Sequence, residues 1–525
     1  MDVRTKAGKD RRLAAKIQEL REKAAQSSRL DVDTIVAQIG ILLHFPGEER
    51  HSKYIIFNAK RNEPQYEQLL TAIGEVLAHG HSQLQHFLLA YLDCENNSYP
   101  QFWRGLAANR VLKEVYFQDI DFPNELNVAP FFTNPALESL DTTDSTFSQA
   151  TFDSLCQGIR SSHIKELKIG HHNYAGGVSW SSLWPALEHG TSRLESLNVR
   201  FAEDTPRGIE NGFESFLTNN ATIQCLRLSG ITRGRDDLPF LQALGRALAV
   251  NSAVRVLTLG FSSALGNPAI DERRIQTVFA EGLGHNMMVN RLVIWVNGSL
   301  ETVNAVANGL ERMMRSRASA ATIDGHDQEE SLPVLKELAV HCTNVFHQAD
   351  YGAGVVRDVF FDRLSRSDVI RVEKVVFSLP RGEPLLSSKV YDFIRSTRAT
   401  KSLELNDYSH LPNDNTLIDL ADAMEANKSI SELQVGRVVV DTTTNLLSSP
   451  NKYRIRCQCR RNQIQVHTLR KPENLSLLPL ALARLLPLDD RPTDDEERRI
   501  IEARQLVGRT IVFEMLQDIP ALFTV

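Results

Sequence analysis

Two histidine pairs and one cysteine pair are the residues whose types and spacing could support chemistry. His79-x-His81 and His171-His172 carry the nitrogen donors of a zinc site, but no cysteine or carboxylate stands near either pair at ligand spacing. They read as solvated turn histidines, and no metal is assigned. Cys457-x-Cys459 sits among Arg454, Arg456, Arg460 and Arg461. On a strand, two residues two apart share a face, and nearby guanidinium groups lower the pKa of an exposed thiol. The plainer alternative is a pair of small core or edge residues. The same arginines belong to a basic run, 452–471, whose piece NKYRIRCQCRRNQIQVHTLRK reads as a strand. Alternating arginines there would make a stripe for phosphate or an acidic protein, a weak anion-binding assignment. The alternative is a solvated edge, partly neutralised by the acidic residues Asp489, Asp490, Asp494, Asp495, Glu496 and Glu497. The chain has no GxxxxGK[ST] phosphate loop and no HExxH, and Gly177-Val-Ser-Trp-Ser fails the GxSxG nucleophile elbow. No catalytic residue and no cofactor is assigned. Binding, not catalysis, is the expected class.

Bulk properties narrow the class further. The chain has 525 residues, more than one ordinary core holds, with 42% hydrophobic and 24% charged residues. Its net charge of -6 argues against a general nucleic-acid or membrane binder. Six cysteines without a CxxC pair are too few for a disulfide scaffold. The opening MDVRTKAGKDRRLAAKIQELREKAAQ has no apolar core, so no secretory leader is expected. No run reaches the length of about 18 apolar residues that a membrane span needs. The closest, Leu475 to Leu488, contains Arg484, Pro479 and Pro487. A reduced, intracellular setting follows, cytoplasmic or nuclear, with no membrane and with the chain as a monomer.

The elements that must position any binding residue come from a repeat. The string L-x-x-N-x-x-L-x-x-L-x-L appears as Leu106, Asn109, Leu112, Val115, Phe117 and as Leu217, Asn220, Ile223, Leu226, Leu228. It returns at Leu248, Asn251, Val254, Leu257, Leu259, at Leu283, Asn286, Val289, Leu292, Ile294, and at Met424, Asn427, Ile430, Leu433, Val435. Five copies with one internal spacing mean a solenoid. Aligning weaker copies gives twelve or thirteen units across 52–437. The final pair of aliphatics, two apart, has strand period. The next apolar positions, such as Ile275, Val278, Phe279 and Leu283, have helix period. The asparagine past each helix is expected to stop it in a left-handed conformation. One unit buries too few aliphatics to offset the entropy of ordering its chain, so the units must stack. Thin strands on one side and wide helices on the other then force the stack to curve. Two long intervals, Val289 to Leu335 and Leu335 to Val372, contain a polar insert at 316–332 and a glycine-rich turn at 347–354. Each reads either as a binding addition or as a tolerated surface insertion. Flanking the array are a charged helical segment or cap, 1–51, and a piece at 438–525 read as a basic strand followed by a helical cap.

These repeats resemble leucine-rich repeat proteins of the ribonuclease-inhibitor-like class. The resemblance implies an α/β fold: a curved horseshoe with parallel strands on the concave face, helices on the convex face and a helical C-terminal cap. The family places Asn or Cys three residues after the last strand aliphatic. Here that slot holds Ile120, Ser145, His172 and Ile231 among others, and Asn only at Asn297, so an irregular turn ladder is expected. The tail motifs Cys459-Arg-Arg-Asn462, Leu482-Ala-Arg-Leu485 and Phe513-Glu-Met-Leu with Ile519-Pro520 resemble the C-terminal cap of uncharacterised algal leucine-rich repeat proteins.

Register then gives the binding face. Residues between the last two strand aliphatics point away from the helices, a column with Tyr116, Asp141, Lys168, Asn198 and Arg227 and then Val293, Ala339 and Val376. The next column includes Arg200, Trp295 and His341. Aromatic residues beside aliphatics and arginines have the composition of a protein-contact hot spot, so Tyr116, Arg200, Arg227, Trp295 and His341 are the candidate partner-binding residues. The alternative for Trp295 is burial beneath the inserted loop. The expected function is a non-enzymatic scaffold or adaptor holding a protein of unspecified identity on the concave face. The alternatives are a regulator of a small GTPase, of the kind that accelerates hydrolysis and uses similar repeats, and a nucleic-acid or anion binder acting through 452–471.

Overall fold

The computed structural model describes residues 54–464 apart from isolated positions and the segments 59–69, 79–84, 91–98, 123–125, 172–178, 202–209, 232–237, 262–267, 324–333, 344–352, 380–385, 407–413 and 440–449. The charged segment 1–51, the turn at 347–352 and the helical cap expected after 465 lie outside the described residues. The chain divides into two compact units, Met1–Ser262 and Ser263–Val525.

In the first unit, eight parallel strands pair in chain order: β1 Tyr54–Asn58, β2 His86–Ala90, β3 Glu114–Gln118, β4 Ser139–Ser145, β5 Glu166–His171, β6 Ser196–Arg200, β7 Cys225–Ser229 and β8 Val256–Gly260. Helices α1 Pro100–Ala108, α2 Gln149–Arg160, α3 Leu183–Gly190, α4 Phe213–Asn219 and α5 Leu238–Val250 connect them. The aliphatics assigned to the strands face the helices and are buried: Val115 and Phe117, Leu167 and Ile169, Leu197 and Val199, Leu226 and Leu228, Leu257 and Leu259. Register matches them strand to strand, as Leu197↔Leu226↔Leu257. Helix α2 illustrates the helical half of a unit. The Ser148 hydroxyl accepts from Thr151 N at 3.2 Å to begin it, and Phe152, Leu155, Cys156 and Ile159 form its buried stripe. Helix backbones approach closely at Gly105, where an added Cβ would fall 1.9 Å from the Gly74 carbonyl oxygen. A series of ring contacts with centroids 4.6–6.0 Å apart runs through the unit from Phe87 to Phe216. Spacings in this range suit tilted and edge-to-face aromatic packing.

The repeated asparagines do end the helices, but by another mechanism than expected. Asn109, Asn134, Asn220 and Asn286 have extended backbone, with φ between -64 and -77°, not the left-handed conformation. Each uses its side chain instead. Asn251 Oδ1 accepts from Ala253 N and Val254 N at 3.0 and 2.9 Å. Its Nδ2 donates to the Leu217 and Asn220 carbonyls of the preceding unit at 2.6 and 2.9 Å. Asn427 does the same toward Ser429 N, Ile430 N and the Ile394 and Thr397 carbonyls. The side chain thus satisfies helix-end carbonyls and turn amides that burial would otherwise leave unpaired. At the end of β4, Ser145 Oγ donates to the Phe117 carbonyl at 3.2 Å.

Among the described residues the second unit has five parallel strands in chain order, β9 Arg291–Asn297, β10 Leu335–Thr343, β11 Val372–Ser378, β12 Ser402–Asn406 and β13 Glu432–Val435. A two-residue strand, β14 Val438–Val439, pairs antiparallel to β13 across a turn at Gly436, whose φ is 63°. Its helices are α6 Pro268–Glu281, α7 Leu300–Ile323, α8 Ala353–Arg366, α9 Ser388–Ser396, α10 Asp414–Ala426 and α11 Pro450–Ile464. Two expectations are corrected here. Residues 316–323 of the polar insert continue α7, because SRASAATI contains no helix breaker. The basic strand expected from residue 452 is instead α11. Ile455, Gln458, Cys459 and Asn462, four of its buried positions beside Cys457 and Arg461, follow helix period, which the alternating arginines obscured. Asn462 Nδ2 donates to the Ile430 and Asn427 carbonyls at 2.6 and 3.3 Å, so the asparagine ladder extends into this segment. Among the described residues no helix is long and apolar enough to cross a membrane.

Candidate partner-binding face

A parallel strand whose alternate residues pack on helices must present the others on the opposite side of the sheet. In the second unit, register places Trp295 of β9 beside His341 of β10, and His341 beside Ser378 of β11. The indole and imidazole stack with centroids 4.1 Å apart and planes 21° apart. His341 Nδ1 lies 2.9 Å from Ser378 Oγ, which fixes the ring from its far side. Trp295 is 41% exposed, whereas Trp103, Trp180 and Trp184 are 8%, 2% and 0% exposed. The inserted loop lies outside the described residues from 324 to 333.

Below the stack, Val293, Ala339 and Val376 are register neighbours. The next row is ionic: Glu337 reaches Arg291 at 3.9 Å and Lys374 at 3.6 Å, and Lys374 reaches Glu404 at 3.4 Å. Asn406 Nδ2 donates to Glu404 at 2.8 Å. The charges compensate one another, so the aromatic pair is the prominent feature of this face.

Burial holds the His341 imidazolium below its ordinary pKa of 6.5, against the opposing pull of Glu404 and Glu337. An unfolded histidine takes its proton before this one does. The stability carried by the site is therefore whole above pH 6.5, and it falls as pH drops through that value toward the lower folded-state value. Trp295 emission, quenched by a protonated stacked imidazole, should titrate with a midpoint below 6.5. The transition should vanish in Trp295→Phe and in His341→Gln. A midpoint at or above 6.5 would contradict the burial argument.

The first unit holds the other three candidates. Tyr116 donates its hydroxyl to Glu114 Oε2 at 2.9 Å, and Lys168 Nζ stands 5.7 Å from the centre of its ring. Lys168 also reaches Glu166 at 3.3 Å and Asp141 at 3.5 Å. Tyr116 is therefore a member of a paired network, in which Lys168 was not singled out from sequence. Arg200 and Arg227 are exposed and lie diagonally on the neighbouring strands β6 and β7, Arg200 opposite Ser229 and Arg227 opposite Asn198. The five predicted residues thus fall into a Trp295–His341 pair on neighbouring strands, Arg200 and Arg227 on another two, and Tyr116 within its own network.

Among the described residues the basic segment is helical, so its arginines do not alternate along a strand, and Arg470 and Lys471 lie outside the described residues. Arg454 pairs across helices with Asp422 at 2.9 Å and with Glu425. Arg461 is buried and Arg460 half-buried. Arg456 is on the same helix. Cys457 and Cys459 are buried in the helix packing, and burial pushes the Cys459 thiol up to about 12, the reverse of an activated thiolate. Among the described residues no group of three or more His, Cys, Asp or Glu is placed to hold a metal ion.

Sequence reasoning missed Arg317. It is 6% exposed and donates through Nε to the Asn286 carbonyl at 3.0 Å and through Nη2 to the Val289 carbonyl at 2.5 Å. These are the carbonyl positions that Asn462 satisfies in its own preceding unit, so an arginine has taken an asparagine's place in the ladder. No family model matches the chain, and no curated protein matches it.

Proposed function

We propose that this chain is a leucine-rich repeat protein of the ribonuclease-inhibitor-like class that acts without catalysis of its own, as a scaffold or adaptor holding a partner protein on the outward face of its strands. The observation that carries the reading is Trp295, held by His341 and exposed on that face. Leaving an indole in water forgoes burial that a partner would supply, and tryptophan is enriched among residues that dominate binding energy. Arg200 and Arg227, exposed on the sheet face of the first unit, supply a second, cationic contact area.

The test is affinity capture from native cell extract with wild type beside Trp295→Ala and Arg200→Glu/Arg227→Glu. Loss of a tryptophan anchor is expected to weaken capture of a specific protein by about 2 kcal/mol, roughly thirtyfold. Retention of the same proteins by both variants would defeat the reading.

A further inference from the structure

A second candidate surface belongs to helix α7 and not to the sheet. Arg312, Arg315, Ser316 and Ser319 occupy one face of α7. With His285 and Met287 of the preceding turn they border an open groove of about 680 Å3. The aliphatic stem of Arg312 lies across Gly284, where an added Cβ would meet Arg312 Cδ at 2.8 Å and the Phe279 carbonyl oxygen at 2.6 Å. The glycine therefore seats this arginine. Among the described residues no carboxylate lies within 4.0 Å of Arg312. Arg315 is paired with Glu311 at 3.7 Å and remains well exposed. On the same turn, Arg317 binds the carbonyls on either side of Met287 and Met288. Burial pulls its pKa down only to about 10, so it stays charged at neutral pH, with carbonyl oxygens as its partners.

Among the described residues, Glu311 is thus the single carboxylate of a groove that contains Arg312, Arg315 and His285 and adjoins Arg317. This is a local reversal of sign on a chain whose net charge is -6. A buried cation without a counter-ion is weakly screened and raises the potential of the surface near it. Met287, 44% exposed at the groove, adds an apolar contact. We propose that this groove binds an acidic peptide segment, its carboxylates on Arg312 and Arg315 and an apolar side chain against Met287. An apolar contact beside the cations favours a peptide over a small free anion.

The probe is a fluorescein-labelled peptide rich in Asp and Glu with interspersed Leu, beside its Asn/Gln counterpart, titrated with the full chain and read by anisotropy. The acidic peptide should bind, more weakly at high salt, and the amide peptide should not. Arg312→Glu/Arg315→Glu should weaken binding by at least about tenfold. A charge-matched control, Arg110→Glu/Arg193→Glu, should leave it unchanged. The milder Arg312→Gln/Arg315→Gln should fall between, with circular dichroism showing each variant folded. Equal binding by the groove variant and the control, equal binding of the two peptides, or no binding of the acidic peptide by wild type would each overturn the proposal. None of these outcomes depends on the Trp295 face, so the two readings stand or fall separately.

Discussion

Asn251→Ala should lower stability by about 3–5 kcal/mol, because two buried and two part-buried backbone groups lose their partner at once and a buried group left unpaired costs about 1–3 kcal/mol. The lost bonds are those from Ala253 N and Val254 N and those to the Leu217 and Asn220 carbonyls. Relaxation of the turn lets some groups find water, which holds the total near the lower end of the sum. A loss of this size is a large part of the net stability of an ordinary domain, about 5–15 kcal/mol. The measurement is urea unfolding, accompanied by hydrogen exchange at Ala253 and Val254, since stacked repeats open locally before they unfold globally. Asn251→Asp separates the two halves of the side chain's role. The carboxylate still accepts from the amides but faces two carbonyl oxygens, so its folded-state pKa must rise. The variant should lose at least as much as alanine at pH 7. It should then regain stability as pH falls into the range where the acid protonates and donates. Indifference of the Asn251→Asp variant to pH would show that the donor half of the ladder matters little.

The position of these asparagines was legible and their action was not. Spacing put Asn109, Asn220, Asn251, Asn286 and Asn427 at helix ends, because a helix-period stripe stops three residues before each of them and a strand core begins three residues after. It could not show that the amide reaches the preceding unit, since that bond joins residues 31 to 34 positions apart, as Asn251 to Asn220 and Leu217. Strand register was legible for the same reason as the helix ends: a period of two fixes which side chains face the helices. That is why Trp295 and His341 could be placed on one face before their stacking was seen. Residues 450–464 failed as a strand because Arg454, Arg456, Arg460 and Arg461 were read by charge alternation. The buried set Ile455, Cys457, Gln458, Cys459, Arg461 and Asn462 mixes apolar, polar and charged groups, so hydrophobicity alone hides its helical character. The paired state of Arg454 was equally hidden, since its partners Asp422 and Glu425 come from another helix.

Arg317→Met should cost about 2–4 kcal/mol, an estimate in which two effects oppose each other. Methionine preserves most of the buried stem and removes the penalty of keeping a cation out of water. It also leaves the Asn286 and Val289 carbonyls without the guanidinium that now bonds both. Hydrogen bonds from a charged donor contribute about 1.5–3 kcal/mol each, so their loss outweighs the desolvation gained back. Arg317→Asn should fare no better than methionine, although asparagine is the usual group of this ladder. Arginine spans the distance from α7 with a longer arm, and an amide on a short one falls short of both carbonyls. Arg317→Lys should be intermediate, because an ammonium lacks the planar fork that engages two acceptors together. The order arginine, lysine, then methionine with asparagine, read from urea midpoints, would identify bidentate carbonyl capture as the role of this residue. Full stability in the methionine variant would show instead that the loop 286–289 is held by packing of Val289 and Leu283 and that the buried charge serves the groove above it.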